Sequence, residues 1–219
     1  LSRERHTEGP AIGTLKPTKP GLLVLDIDEV VLEFIAPFER LLEEMGARLH
    51  VDGFRLTGNV RSISTGTALT GHELDGITAR LYEEQIERQP AVPGVLKALE
   101  SLSSLADIVF LTAMTPSYHA RRRTLLDGLG LTHPMIATER SKGGVVAELA
   151  ALWGGPVVFV DDLPPNLEAV RRSVPEVHLV HLMANTVFRP HLPPLPPGAL
   201  AAADWDEAEA LIRERLAVA

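Results

Sequence analysis

Residues Leu22–Val31 read LLVLDIDEVV, and the reading of this stretch decides the fold. Leu22, Leu23, Val24 and Leu25 are apolar without alternation, the pattern of a strand covered on both faces. Asp26 and Asp28 then fall at its C-terminal mouth, where α/β sheets keep their chemistry. Two acids this close to a buried strand are costly unless a cation or a proton offsets them. The stretch is therefore a metal or acid/base candidate.

Working outward, apolar strands expected over Ile108–Leu111, Met135–Ala137, Val157–Val160 and Val177–Leu182 alternate with helices around Ser117–Leu129, Lys142–Trp153 and Asn166–Ser173. Such alternation predicts an α/β fold, a three-layer, doubly wound and mainly parallel sheet with right-handed crossovers. Between the first two strands lies an insertion. Ile35, Phe38, Leu41, Leu42 and Met45 have helical spacing before Gly46, and Ala47–Thr67 reads as a loop or short hairpin. Thr70 and Glu73 form a capping box for a second helix, with Leu74, Ile77, Leu81 and Ile86 as its stripe, ending near Gln89. Pro90, Pro93 and Gly94 mark the return, and Val95, Ala98, Leu99 and Leu102 open a core helix. The expected organisation is an N-terminal arm over 1–20, a core over 21–33 and 92–219, and an inserted, mostly helical domain over 34–91.

The polar, proline-punctuated arm reads as a loose tail. Pro190–Pro197 reads as an extended connector across the surface, and Asp204 caps a last helix bearing Ala208, Leu211, Ile212 and Leu216. No internal repeat is visible.

Composition narrows the function. With 219 residues, 45% hydrophobic and 23% charged, the chain fits one well-buried domain with a small insertion, and no apolar run approaches the roughly 20 residues of a membrane span. A formal net charge of −8 argues against a general nucleic-acid partner. The absence of cysteine excludes thiolate metal sites and cysteine nucleophiles. The N-terminus lacks the apolar core of a signal peptide, so cytoplasmic location is the expectation, with a removed upstream segment left open because residue 1 is Leu.

Further polar groups follow the later strands. Thr112 follows Val109-Phe110-Leu111, Lys142 opens a helix behind Ser141, and Asp161-Asp162 follow Val157–Val160, with Asn166 close behind. A parallel sheet brings all of them to one crevice. Asp26, Asp28, Asp161 and Asp162 are balanced by one proton, Lys142 and one divalent cation. Carboxylates without His or Cys suit a hard ion, magnesium, with a phosphoryl group as guest.

In these motifs, Asp26-Ile27-Asp28-Glu29-Val30, Leu111-Thr112, Lys142 and Asp161-Asp162-Leu163-Pro164-Pro165-Asn166, the chain resembles the haloacid dehalogenase superfamily, in the family order over residues 22 to 182. The resemblance implies a magnesium-dependent phosphatase acting on a small phosphorylated metabolite, with the insertion as a helical cap. It implies Asp26 as nucleophile, through an aspartyl-phosphate, and Asp28 as general acid and base. Thr112 and Lys142 would hold the phosphoryl oxygens. Asp26, Asp161 and the backbone carbonyl of Asp28 would ligate the metal, with Asp162 acting directly or through water. Having Asp28 favours phosphotransfer over dehalogenation. Within the superfamily a phosphomutase or a protein phosphatase stays open, as does a phosphate- or protein-binding module of weak catalysis.

Two positions depart from the common pattern. Glu29 stands where many members have Gly, as in the form seen in protein phosphatases, and Lys142 is followed by Gly143-Gly144. The blander readings are Asn166 as a structural residue, Arg121-Arg122-Arg123 as a solvated helix face, and Arg48, Arg55, Arg61 and Thr65-Gly66-Thr67 as ordinary surface. His178 and His181 are expected on opposite faces of a strand and so make poor metal partners.

Overall fold

The computed structural model describes residues 6–217, so the part of the arm expectation that falls on Leu1–Arg5 lies outside the described residues. Strands β1 (Thr7–Glu8), β2 (Gly21–Leu25), β5 (Ala106–Thr112), β6 (Met135–Thr138), β7 (Val157–Asp161), β8 (His178–Leu182) and β9 (Leu200–Ala202) form one sheet. Its order is β1-β6-β5-β2-β7-β8-β9. All neighbours from β6 to β9 are parallel, and β1 adds to the β6 edge antiparallel. The expected mainly parallel, doubly wound sheet is therefore present.

The unbroken apolar run of β2 is explained by what covers it. Leu23 and Leu25 pack with Leu99 of α4 (Val95–Leu102), Leu125 and Leu126 of α5 (His119–Gly128), and Trp205 and Ile212 of α8 (Trp205–Leu216). Leu22 and Val24 face the other way, against Val146 and Leu149 of α6 (Lys142–Ala150) and Leu167 and Val170 of α7 (Pro164–Ser173). Successive side chains of one strand thus feed two cores, giving three layers.

Strand β2 is the switch point. The chain steps from it to β5 and β6 on one side, then returns to its other side for β7, β8 and β9. The crevice beyond the C-terminal ends of β5, β2 and β7 is where such sheets bind ligands.

The insertion leaves and rejoins through one neck, where Leu32 bridges Ala91, the Glu33 N–H reaches Pro90 O and the Val92 N–H reaches Val31 O. Between them lie α1 (Ile35–Glu44), a hairpin of β3 (Ala47–Leu49) and β4 (Val60–Ser62), α2 (Gly71–Glu83) and α3 (Gln85–Arg88). They share an apolar cluster that includes Phe38, Leu42, Val60 and Leu81, joined by Met183 and Phe188 from beyond β8. The capping box at Thr70 and Glu73 is formed as expected. The helix expected to run to Gln89 instead breaks at Glu84, and Ile86 is left exposed.

One expectation needs correction, and one strand was not expected. The N-terminal arm is fastened to the core: Thr7 and Glu8 pair with Thr138 and Ala137, and Asp107 accepts from the Thr18 and Lys19 backbone N–H groups and the Thr18 hydroxyl. Short edge strands of polar residues carry little periodic signal, which hid β1. The connector over Pro190–Pro197 is followed by β9, in parallel register with β8. Its Leu-Ala-Ala sequence has low strand propensity and forms a strand only because the β8 edge is there to pair with.

Candidate active site

Asp26 directly follows β2, and its backbone N–H donates to Val160 O, which puts it level with Asp161 at the end of β7. Lys142, at the first turn of α6, lies between them. Its ammonium is 2.6 Å from Asp26 Oδ1 and 2.6 Å from Asp161 Oδ2, and all three side chains are buried. Asp161 Oδ1 accepts from the Leu163 N–H at 2.9 Å and from Asn166 Nδ2 at 3.0 Å, so Asn166 orients the acid, as expected of a structural residue. Asp162 is turned in beside them, and its carbonyl accepts at 2.8 Å from His181 Nε2, which must therefore carry the proton. Thr112 Oγ1 accepts from the Met114 N–H at 3.0 Å, leaving its own hydroxyl hydrogen to donate into the cleft.

One carboxylate oxygen from each of Asp26, Asp161 and Asp162 lies within 4.8 Å of the others. Burial pushes Asp26 up to about 7, with Lys142 pulling it down and Asp161 pushing it up. Burial, reinforced by Asp161 and Asp26, holds Asp162 well above the carboxylate range. On Lys142 burial works against the charge, but Asp161 and Asp26 outweigh it and hold the ammonium charged. Three buried acids facing one lysine leave a negative excess that a divalent cation would cancel. The donors are oxygen throughout, so the residues fit a hard ion such as magnesium.

Asp28 is held differently. Its Oδ1 accepts from Arg122 Nη1 at 3.0 Å and Gln89 Nε2 at 3.0 Å, and its Oδ2 from the Tyr82 hydroxyl at 3.3 Å. The Asp28 carboxylate lies outside the group formed by the other three acids, yet lines the same cleft. Arg122 has no exposed side-chain surface. Its Nη2 donates to Gln89 Oε1 at 3.0 Å, its Nε to Gln85 Oε1, and it lies 5.5 Å from the Tyr82 ring centre. The solvated reading of Arg121-Arg122-Arg123 is therefore corrected at its central residue. The signal was present: Arg122 shares a helix face with Leu125 and Leu126, and Gln85 and Gln89 continue the stripe of Leu81. Arg122 also adds a positive charge beside Asp28 that the charge count from the sequence did not include.

Glu29 is a framework residue. At φ 63° it is the one non-glycine residue with positive φ among the described residues. Its buried carboxylate accepts from the Phe34 and Ile35 N–H groups at the start of α1 and from the Asn185 N–H. Burial raises its pKa against the pull of these bonds. Gly143 has a packing reason: a Cβ there would lie 2.4 Å from Ala169 O of α7. Of the remaining sequence candidates, Arg61 donates to the Gly66 carbonyl, and Arg55 is largely exposed beside Asp52.

The site and the sheet together define a haloacid dehalogenase-like fold, and solved structures carry it across most of the chain. A haloacid dehalogenase-like protein of unknown function from Agrobacterium tumefaciens superposes with a TM-score of 0.59 at 19% identity, covering 88% of this chain and 97% of that one. A putative beta-phosphoglucomutase from Thermotoga maritima gives 0.55 at 18%, covering 89% and 99%. The D,D-heptose 1,7-bisphosphate phosphatase of B. bronchiseptica, complexed with magnesium and phosphate, gives 0.51 at 16%, covering 89% and 98%. No protein-family model and no curated protein matches the sequence. No helix among the described residues is long and apolar enough to cross a membrane.

Proposed function

We propose that this chain is a magnesium-dependent phosphohydrolase that cleaves a small phosphate monoester through an aspartyl-phosphate on Asp26. The observation that carries the reading is the pair of 2.6 Å ion pairs placing the Lys142 ammonium between Asp26 and Asp161, with Asp162 beside them at the switch point of the sheet. The solved structures of the same fold, one of them a phosphatase with magnesium and phosphate, agree with it.

Asp26, Asp161 and Asp162, with the Asp28 carbonyl, would hold the magnesium, which supplies charge stabilisation to the transferring phosphoryl oxygens. An Asp26 oxygen attacks phosphorus while the bond to the ester oxygen breaks. Asp28, having taken up a proton from solvent before cleavage, delivers it to the leaving oxygen. Its Oδ1 is occupied by Arg122 and Gln89, so Oδ2, held only by the longer Tyr82 bond, is the oxygen that exchanges it. Asp28 then takes a proton from the water that attacks the aspartyl-phosphate, returning Asp26 and releasing inorganic phosphate. Lys142 and the Thr112 hydroxyl bind phosphoryl oxygens. The 34–91 insertion acts as the cap, closing the site through Tyr82 and Gln89 and excluding water.

The test is an acid quench early in turnover of 1-naphthyl phosphate with magnesium, followed by peptide mass mapping. The expected result is one phosphoryl group on the peptide containing Asp26, absent from Asp26→Asn. A phosphoryl group on another residue, or an adduct retained in Asp26→Asn, contradicts the assignment.

A further inference from the structure

The cleft that opens from Asp26 has a volume of about 480 Å³. Besides the acidic groups, Lys142 and Thr112, its walls include Phe34, Phe54, Leu56, Tyr82, Met114 and Phe188. Most polar groups beside these apolar walls are already engaged. The Tyr82 hydroxyl is turned to Asp28, Glu29 binds backbone N–H groups, and Asn166 holds Asp161. Arg55 lines the cleft with its side chain 66% exposed. A leaving group rich in hydroxyls would find few partners there besides Arg55, whereas an apolar group needs none.

The rings also offer contacts to a flat guest. Phe34, stacked at 5.5 Å on Phe38, lies 6.1 Å from Tyr82, and Phe54 meets Phe188 edge-on at 5.9 Å, so aromatic surface borders the cleft. Such pairs accept another ring in offset or edge-on geometry.

Building on the phosphohydrolase reading, we propose that the substrate is a phosphate monoester of an apolar, ring-bearing alcohol or phenol, its ring seated between the Phe34–Tyr82 and Phe54–Phe188 pairs. Phe54 and Leu56 are the specificity-determining residues of the insertion. Both are half-buried in the segment joining β3 to β4, so altering them tests selectivity without opening the sheet core.

Calorimetry in magnesium compares phenylphosphonate, methylphosphonate and inorganic phosphate, none of which needs to be turned over. Phenylphosphonate is expected to bind about tenfold or more tightly than methylphosphonate, the gain expected for burying one ring. In Phe54→Asn and Leu56→Asn, each checked for a wild-type thermal transition, that ratio falls toward one. Equal affinity of the two phosphonates in the wild-type protein, or no binding of either, overturns the proposal. Magnesium-dependent kcat/KM higher for glucose 6-phosphate than for 1-naphthyl phosphate also overturns it, while leaving the phosphohydrolase reading intact. Tight phenylphosphonate binding with no ester hydrolysed supports the apolar subsite and sinks the hydrolase reading instead.

Discussion

Asp28 meets the Arg122 guanidinium inside the protein, where an ion pair holds because each guanidinium nitrogen has a partner: Asp28, Gln85 and Gln89 take Nη1, Nε and Nη2. Removing one member of a buried pair leaves the other uncompensated, at a cost of about 3–5 kcal/mol. Arg122→Met is therefore expected to lower stability by about 3 kcal/mol in denaturant unfolding and to cut kcat more than it raises KM, because Asp28 loses its orientation. Arg122→Lys keeps the charge but not the fork, and should recover stability more than kcat. Equal kcat in Arg122→Met and wild type would show that Arg122 is structural only. The acids at 26, 28, 161 and 162 were legible because each follows an apolar strand. Arg122 was marked only weakly, by its spacing to both Leu125 and Leu126, since its neighbours Arg121 and Arg123 have the same chemistry. Arg121 donates to the Glu83 carbonyl, and Arg123 to the His133 and Leu131 carbonyls.

Helix α6 must lie close to α7 to bring Lys142 between two acids. Gly143 makes that approach fit, with no room for a Cβ against Ala169 O. Gly143→Ala should push the helices apart, destabilise the protein by about 1–3 kcal/mol in denaturant unfolding, and lower activity by moving Lys142. Unchanged stability and activity would remove the packing explanation for glycine here. Glu29 works on α1 in a similar way. By binding the N–H groups of Phe34 and Ile35 it fixes where the insertion leaves the core, and by binding Asn185 it ties that point to the segment after β8. The sequence showed an acid in an unusual place. Its helix-anchoring role was invisible because the partners lie 5, 6 and 156 residues away. Elements with a strong apolar pattern, such as α1 and β2, were legible, and α2 was legible at its capping box but not at its end; β1 and β9 exist only through their neighbours' open edges.

Across the whole molecule, three acids and one lysine are buried at a single point, and their repulsion is a property of the folded state alone. Asp26 is raised to about 7 by burial, and Asp162 is raised as well, so the metal-free fold binds protons that the unfolded chain does not. Stability of the metal-free protein should therefore increase as pH falls from about 8 to about 7, where the unfolded acids are ionised and unfolded histidines are still mostly neutral. At lower pH, His133, His178 and His181, all held below their usual value mainly by burial, pull the other way. Thermal unfolding in chelator reads this directly, and saturating magnesium should flatten the trend. A metal-free Tm that drops between pH 8 and about 7 would contradict the charge balance drawn for the site. The central claim, that these groups together hydrolyse a phosphate ester, is tested most directly by inorganic phosphate release from a panel of phosphate monoesters, aryl and sugar esters included. The account predicts release that requires magnesium and is lost in Asp26→Asn. Magnesium-dependent release that persists undiminished in Asp26→Asn would contradict it.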